Sequence, residues 1–183
     1  MRVISGTAKG TRLESLEGDK TRPTLDRVKE ALFNIIQNDV RDAYVLDLFS
    51  GSGALGIEAL SRGAKFCVMA DKSSDAIKVI NKNLQKARLG DNAKIIKNDY
   101  IKTLDSLNQK FDLIFIDPPY AENIAVDAIE NIIKLDLLSE DGTIILETDE
   151  EKRELENIKK INVNVYDLRK YGRVKLIFLN RKG

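Results

Sequence analysis

The sharpest chemistry in this chain lies in four consecutive residues, Asp117-Pro118-Pro119-Tyr120. Each proline pushes the residue before it out of the helical region. Neither proline has an N–H, so the turn is stiff and its backbone offers carbonyls. The Asp117 side chain and the Pro118 carbonyl form two fixed acceptors. An exocyclic amino group on a nucleobase has two hydrogens to give them. Held that way, the nitrogen faces an electrophile. Tyr120 adds a ring on which a base stacks, worth about 1–3 kcal/mol. The chemistry implied is in-line methyl transfer to nitrogen, in which positioning does much of the work. Asp117 and the carbonyl stabilise the positive charge that develops, and Asp117 or water takes the proton. The alternative account of these residues is a structural turn around a buried proline pair.

A methyl donor needs its own pocket. Gly51, Gly53 and Gly56 form G-x-G-x-x-G after a short apolar run, and Asp71 lies twenty residues beyond Gly51. This is the pattern of a nucleotide-binding strand-turn-helix with a ribose-binding acid. It does not separate NAD from S-adenosylmethionine. Asp47 favours the second. A dinucleotide would set its pyrophosphate at the helix N-terminus, where the Asp47 carboxylate repels it. The ammonium and sulfonium of S-adenosylmethionine are attracted instead. Asp99 follows a third strand and is expected to accept from the adenine amino group, although as an isolated residue it reads as a helix cap. Phe49 and Tyr100, beside these acids, complete the expected cofactor pocket of Asp47, Phe49, Gly51, Gly53, Asp71, Asp99 and Tyr100. The expected catalytic set is Asp117, Pro118 and Tyr120.

Composition narrows the field. The chain has 183 residues, no histidine and one cysteine. Imidazole catalysis, an internal disulfide and cysteine-built zinc sites are excluded, and no metal is expected. No apolar run approaches the ~18 residues of a membrane span, and the expected location is the cytoplasm. Cys67 reads as a buried structural thiol, and Tyr44 as a packing residue. The net charge of +1 hides a pattern. Residues 1–29 carry seven basic and four acidic side chains, and residues 151–183 ten and four, so an acidic middle lies between basic ends. Basic ends meeting on one surface would attract phosphates. Lys9, Arg12, Arg22, Arg27, Lys170 and Arg173, with Thr24 and Tyr171 beside them, are the expected RNA contacts.

The elements that must position these groups follow from periodicity. Residues 1–40 read as a ribbon with loops and then a helix with its stripe at Val28, Ala31, Leu32, Ile35 and Ile36. Thr24 or Asp26 is the expected cap of that helix. From Ala43 strands and helices alternate. Strands are expected at 44–46, 66–70, 94–96, 111–116 and 143–146. Helices are expected at 54–61, after Ser73 or Ser74, at 123–134 and around 150–160. Residues 163–168 and 174–179 read as an antiparallel pair turned near Tyr171-Gly172. The pattern implies an α/β fold with a doubly wound, mainly parallel seven-stranded sheet. The expected organisation is an N-terminal RNA-contact extension over 1–40 and a methyltransferase domain over 41–183.

Taken together these residues resemble the RsmD-type 16S rRNA (guanine-N2)-methyltransferases, a branch of the S-adenosylmethionine-dependent Rossmann-like enzymes. The likeness runs from Val3-Ile4-Ser5-Gly6 and Lys9-Gly10 through Arg22-Pro23-Thr24 and Arg27 to Phe33. It continues through Asp47 to Gly53, Gly56 to Ala59 and Asp117 to Tyr120, and includes Tyr171-Gly172. It implies methylation of N2 of one guanine in small-subunit ribosomal RNA, free or in an assembling subunit, by a monomeric enzyme. The family often has Glu where this chain has Asp71, and Thr where it has Val174. Three rivals are weighed at this point. One keeps the chemistry and targets adenine N6 or cytosine N4. Another is an NAD-dependent oxidoreductase, which leaves Asp117-Pro118-Pro119-Tyr120 unexplained. The third is a catalytically silent RNA-binding scaffold, which the intact Asp117 disfavours.

Overall fold

The structure, a computed structural model, describes residues 1–17, 23–119 and 123–183, and for Pro23 and Thr24 the backbone alone. Arg22 and Tyr120, and the side chain of Thr24, lie outside the described residues.

A seven-stranded sheet forms the centre. Its strands are β1 (Tyr44–Asp47), β2 (Phe66–Asp71), β3 (Ala93–Lys97), β4 (Phe111–Ile116), β5 (Leu138–Thr148), β6 (Val163–Tyr171) and β7 (Val174–Arg181), in the order β3-β2-β1-β4-β5-β7-β6. β1 to β5 run parallel, and β7 pairs antiparallel with both β5 and β6. The expected doubly wound, mainly parallel α/β sheet is therefore what the chain forms. Its order reverses between β1 and β4, which opens a crevice at the carboxyl ends of those two strands.

The helices are α1 (Pro23–Ile35), α2 (Ala54–Ser61), α3 (Ser74–Ala87), α4 (Tyr100–Ser106), α5 (Ala125–Lys134) and α6 (Glu151–Ile158). One buried cluster joins α1, α2 and α3 to one face of the sheet through Val28, Leu32, Ile57, Ile80, Val45 and Phe115. A second joins α4, α5 and α6 to the other through Leu104, Ile129, Ile158, Leu46 and Ile114. The strict alternation of Val45 and Leu46, or of Ile114 and Phe115, between the clusters is the period of two of a strand buried on both faces.

α1 starts at Pro23, so Thr24 and Asp26 fall inside its first turn and do not cap it. A proline at the first helical position has its dihedral preset and its missing N–H costs nothing there. α3 starts as expected, with the Ser73 hydroxyl accepting from the Ala76 N–H at 3.3 Å. α4 was not expected, because residues 100–106 show no clear apolar stripe. β5 is longer than expected. Its first half contains Glu140, Asp141 and Gly142, which break the apolar signal, and its register against β4 shifts between Phe111 and Leu113. Tyr44 does not pack inward: it is exposed, with the Lys65 ammonium 5.5 Å from its ring centre. Cys67 is buried and free.

The first seventeen residues are a small ribbon bound to α2. Arg2 and Arg12 face each other, with Val3 N–H donating to the Thr11 carbonyl at 2.9 Å. Glu58, fully buried on α2, accepts from the Ile4 and Ser5 N–H groups at 2.9 and 3.1 Å. It also pairs with Arg62 at 2.9 Å and with the buried Lys29 of α1 at 3.3 Å. Ser61 receives the Ala8 N–H at 2.9 Å and donates to the Ser5 carbonyl at 2.6 Å. Gly6 has a φ of +89°, and a Cβ there would sit 1.8 Å from the Ser61 carbonyl oxygen. Only glycine allows this approach.

Candidate active site at the carboxyl edge of the sheet

The strand ends converge on a cavity of about 610 Å³. Asp47, Phe49, Gly51, Asp71, Asp99, Tyr100, Asp117 and Pro118 all line it. The expected donor pocket and the expected amine-holding turn thus share one space. Gly53 does not line it. Its φ of +81° makes it the left-handed residue that starts α2, packed near Ile80 and Met69. Gly56 serves packing too: a Cβ there would meet Met69 Cε at 2.7 Å and Cys67 Sγ at 2.9 Å, so α2 could not lie this close to β2.

Asp47 ends β1 and is 2% exposed. Its Oδ2 accepts the Gly56 N–H at 3.1 Å, and the Ser50 hydroxyl donates to its backbone carbonyl at 2.9 Å. Burial pushes its carboxyl up to about 7; the Gly56 N–H and the Ser50 hydroxyl oppose the rise, and the nearby Asp71 adds to it. A buried acid raised this way is stabilised in its charged form by an incoming cation.

Asp71 ties the glycine turn to β2. Its two oxygens accept the Gly51 and Ser73 N–H groups, each at 2.9 Å. A carboxylate has about four acceptor positions, so both oxygens keep capacity for a hydroxyl. Asp99 is the N-cap of α4, its Oδ1 accepting the Lys102 N–H at 2.9 Å. It holds this cap while lining the cavity. Phe49 and Tyr100 form an aromatic pair with ring centres 5.7 Å apart, and the Tyr100 hydroxyl donates to Asp127 at 2.6 Å.

Several lining residues escaped the sequence patterns. Leu25, Val28, Lys29 and Leu32 of α1, with Ser15 and Leu16 before it, form one wall. Lys29 is 3% exposed, and burial lowers its pKa. Its ammonium donates to the Arg2 carbonyl at 2.7 Å. Asn83, fully buried on α3, holds that wall to the glycine turn. Its Oδ1 accepts the Glu14 N–H at 2.7 Å, and its Nδ2 donates to the Glu14 and Ser52 carbonyls at 3.0 and 2.9 Å. Glu147, on β5, also lines the cavity, and burial pushes its carboxyl up to about 7. Val28 and Leu32 were legible only as the apolar stripe of α1, not as a wall of the site; a polar residue on an apolar helix stripe is the one further signal, carried by Asn83.

The expected RNA contacts divide into groups. Lys9, Arg12, Arg27 and Arg173 are exposed. Lys170 is engaged by Glu151 at 3.1 Å. Tyr171 is half-buried and packs with Val174 against the α1–α3 side of the core, the side that also holds the ribbon residues Val3, Ala8 and Leu13.

Comparison with known proteins adds an independent line. The family described as Conserved hypothetical protein 95 matches residues 1–180. YlbH of Bacillus subtilis is 42% identical over 82% of this chain and 84% of its own. Ribosomal RNA small subunit methyltransferase D of Haemophilus influenzae is 36% identical over 83% of this chain and 80% of its own. The solved structure of yhhF from Escherichia coli superposes with a TM-score of 0.85 at 26% identity, covering 100% of this chain and 98% of that one. With its sequence matched almost from end to end and its fold shared, the chain belongs to the Conserved hypothetical protein 95 family, the RsmD-type methyltransferases of class I fold.

Proposed function

We propose that this protein methylates the exocyclic N2 amine of a guanine in small-subunit (16S) ribosomal RNA, with S-adenosylmethionine as donor. The observation that carries the proposal is the single cavity shared by Asp47, the glycine turn and Asp71 on one side and Asp117-Pro118 on the other. The name and identity of the Haemophilus influenzae relative support the RNA assignment.

The donor pocket suits that cofactor. A buried carboxylate with its pKa raised to about 7 stands where an ammonium or sulfonium gains most. Asp71 has acceptor capacity for ribose hydroxyls, and the Phe49–Tyr100 pair offers an aromatic wall for adenine. When bound, S-adenosylmethionine supplies an electrophilic methyl group. The protein's part is to hold and to exclude. The Asp117 carboxylate and the Pro118 carbonyl accept the two amine hydrogens and fix the nitrogen's direction. As the nitrogen becomes positive these acceptors stabilise it, and Asp117 or a water takes the proton. Tyr120 stacks on the base. No imidazole is needed, in keeping with a chain that has no histidine. A base amine inside a duplex cannot reach this turn, so the target is unstacked or flipped.

The exposed Lys9, Arg12, Arg27 and Arg173, with Arg22, Thr24, Lys170 and Tyr171, are proposed to dock the RNA, with residues 1–40 acting as the RNA-contact extension of a cytoplasmic, monomeric enzyme. The test is methylation of small-subunit RNA and of assembled subunits with labelled donor, followed by mapping of the modified base. Label at N2 of one guanine is expected. Label at adenine N6 or cytosine N4 overturns the assignment.

A further inference from the structure

Glu147 has no role in the reading given so far. Ile116 of β4 and Leu146 of β5 are register partners on parallel strands. The next residues, Asp117 and Glu147, therefore reach the carboxyl edge side by side, on strands about 4.8 Å apart. Ile145 packs with Phe115, Val28 and Leu32. The strand period of two puts Glu147 on that same side, where it lines the cavity with Asp117, Pro118 and Lys29. The other lining acids Asp47, Asp71 and Asp99 each hold a backbone N–H. Among the described residues, no hydrogen bond or ion pair engages the Glu147 carboxylate.

We propose that Glu147 selects guanine: its carboxylate accepts the N1–H of the target base while Asp117 and Pro118 hold the N2 amine. The inference rests on the guanine-N2 reading above and names the residue that reads the base. Guanine presents N1–H and the N2 amine side by side on one edge. An ionised carboxylate only accepts, so it fits that edge. Adenine and cytosine present a ring-nitrogen acceptor beside their amine, and two acceptors face to face repel. A site whose buried polar group is left unpaired rejects the wrong ligand strongly. Burial raises the Glu147 carboxyl to about 7, and an N–H donor from the base would relieve that cost.

The test is a cycle between protein and base. Small-subunit RNA carries guanine or 1-methylguanine at the mapped position. Wild-type protein is compared with Glu147→Gln, which keeps the shape, and with Glu147→Ala. S-adenosylhomocysteine affinity, measured by calorimetry, is expected to stay unchanged and reports folding of each variant. Either change alone, in base or in residue 147, should lower kcat/KM by about 100-fold, the scale of a charged hydrogen bond. Combined, Glu147→Ala with 1-methylguanine should lose less than about 3-fold more than either alone. Equal penalties for N1 methylation in wild type and variant overturn the inference, as does the absence of a wild-type penalty. Methylation of adenine or cytosine by the wild type overturns the guanine reading itself, so the two failures are distinct.

Discussion

A carboxylate sealed from water at the end of β1 is a debt that only a cation cancels. In the ligand-free protein the raised pKa of Asp47 means that the native state binds more protons than the unfolded chain between about pH 4 and 7. That contribution to stability is full below pH 4 and is lost as the pH rises through 7. A bound ammonium or sulfonium reverses the preference, so binding should expel a proton. Calorimetry in buffers of different ionisation enthalpy should find close to one proton released at about pH 6 and almost none above about pH 8. Asp47→Asn should abolish the release, and a release that persists in that variant would move it to another group. Asp117→Ala should keep cofactor affinity and lower transfer by about 10²–10⁴-fold, read from single-turnover rates. At this scale the sequence was most legible. Asp47, Gly51, Asp71 and Asp117 announce themselves by lying at the ends of apolar runs, because strand ends are where such sheets bind ligands. Glu147 hid because it continues β5 without a turn to mark it, and Asn83 because its partners lie on other elements.

The elements around the cavity are joined by buried polar contacts that no local pattern discloses. Asn83 links α3, the glycine turn and the segment before α1 through three hydrogen bonds. Asn83→Ala would leave the Glu14 N–H and two carbonyls short of partners and should cost about 2–3 kcal/mol. It should also weaken cofactor binding, since Ser52 belongs to the glycine turn proposed to hold the cofactor. Thermal unfolding with and without S-adenosylhomocysteine would separate the two effects. Breaking the buried Lys29–Glu58–Arg62 group should be more severe. Glu58→Ala strands the Lys29 ammonium and two N–H groups, and should cost about 3–5 kcal/mol in denaturant unfolding. The strands and helices with clean periodicity, such as β4 and α2, were readable to the residue. Those that carry mixed polar residues, the first half of β5 and all of α4, were not. Their burial is decided by neighbours distant in sequence.

Across the whole molecule the near-neutral balance separates into territories. The basic ribbon and the β6–β7 turn pack on the same side of the sheet. Exposed Lys9, Arg12 and Arg173 are therefore better phosphate candidates than Lys170, which already faces Glu151. Charge reversal at Arg12 and Arg173 should weaken RNA binding and flatten its slope against log salt by about 0.7–0.9 per lost phosphate contact. The same change at Lys170 should alter the slope less. Equal effects at all three positions would mean that the Glu151 pair opens on binding.

The ribbon's contacts also set an order of events. Residues 1–17 are made well before their anchors Glu58, Ser61 and Asn83, which lie 53 to 69 positions later. The opening segment must wait, undocked, until α2 and α3 have formed on β1 and β2. Closing such long loops is slow relative to local structure. The wall of the cavity is thus among the last parts to close, and a refolding chain should regain its sheet before it regains affinity for its cofactor.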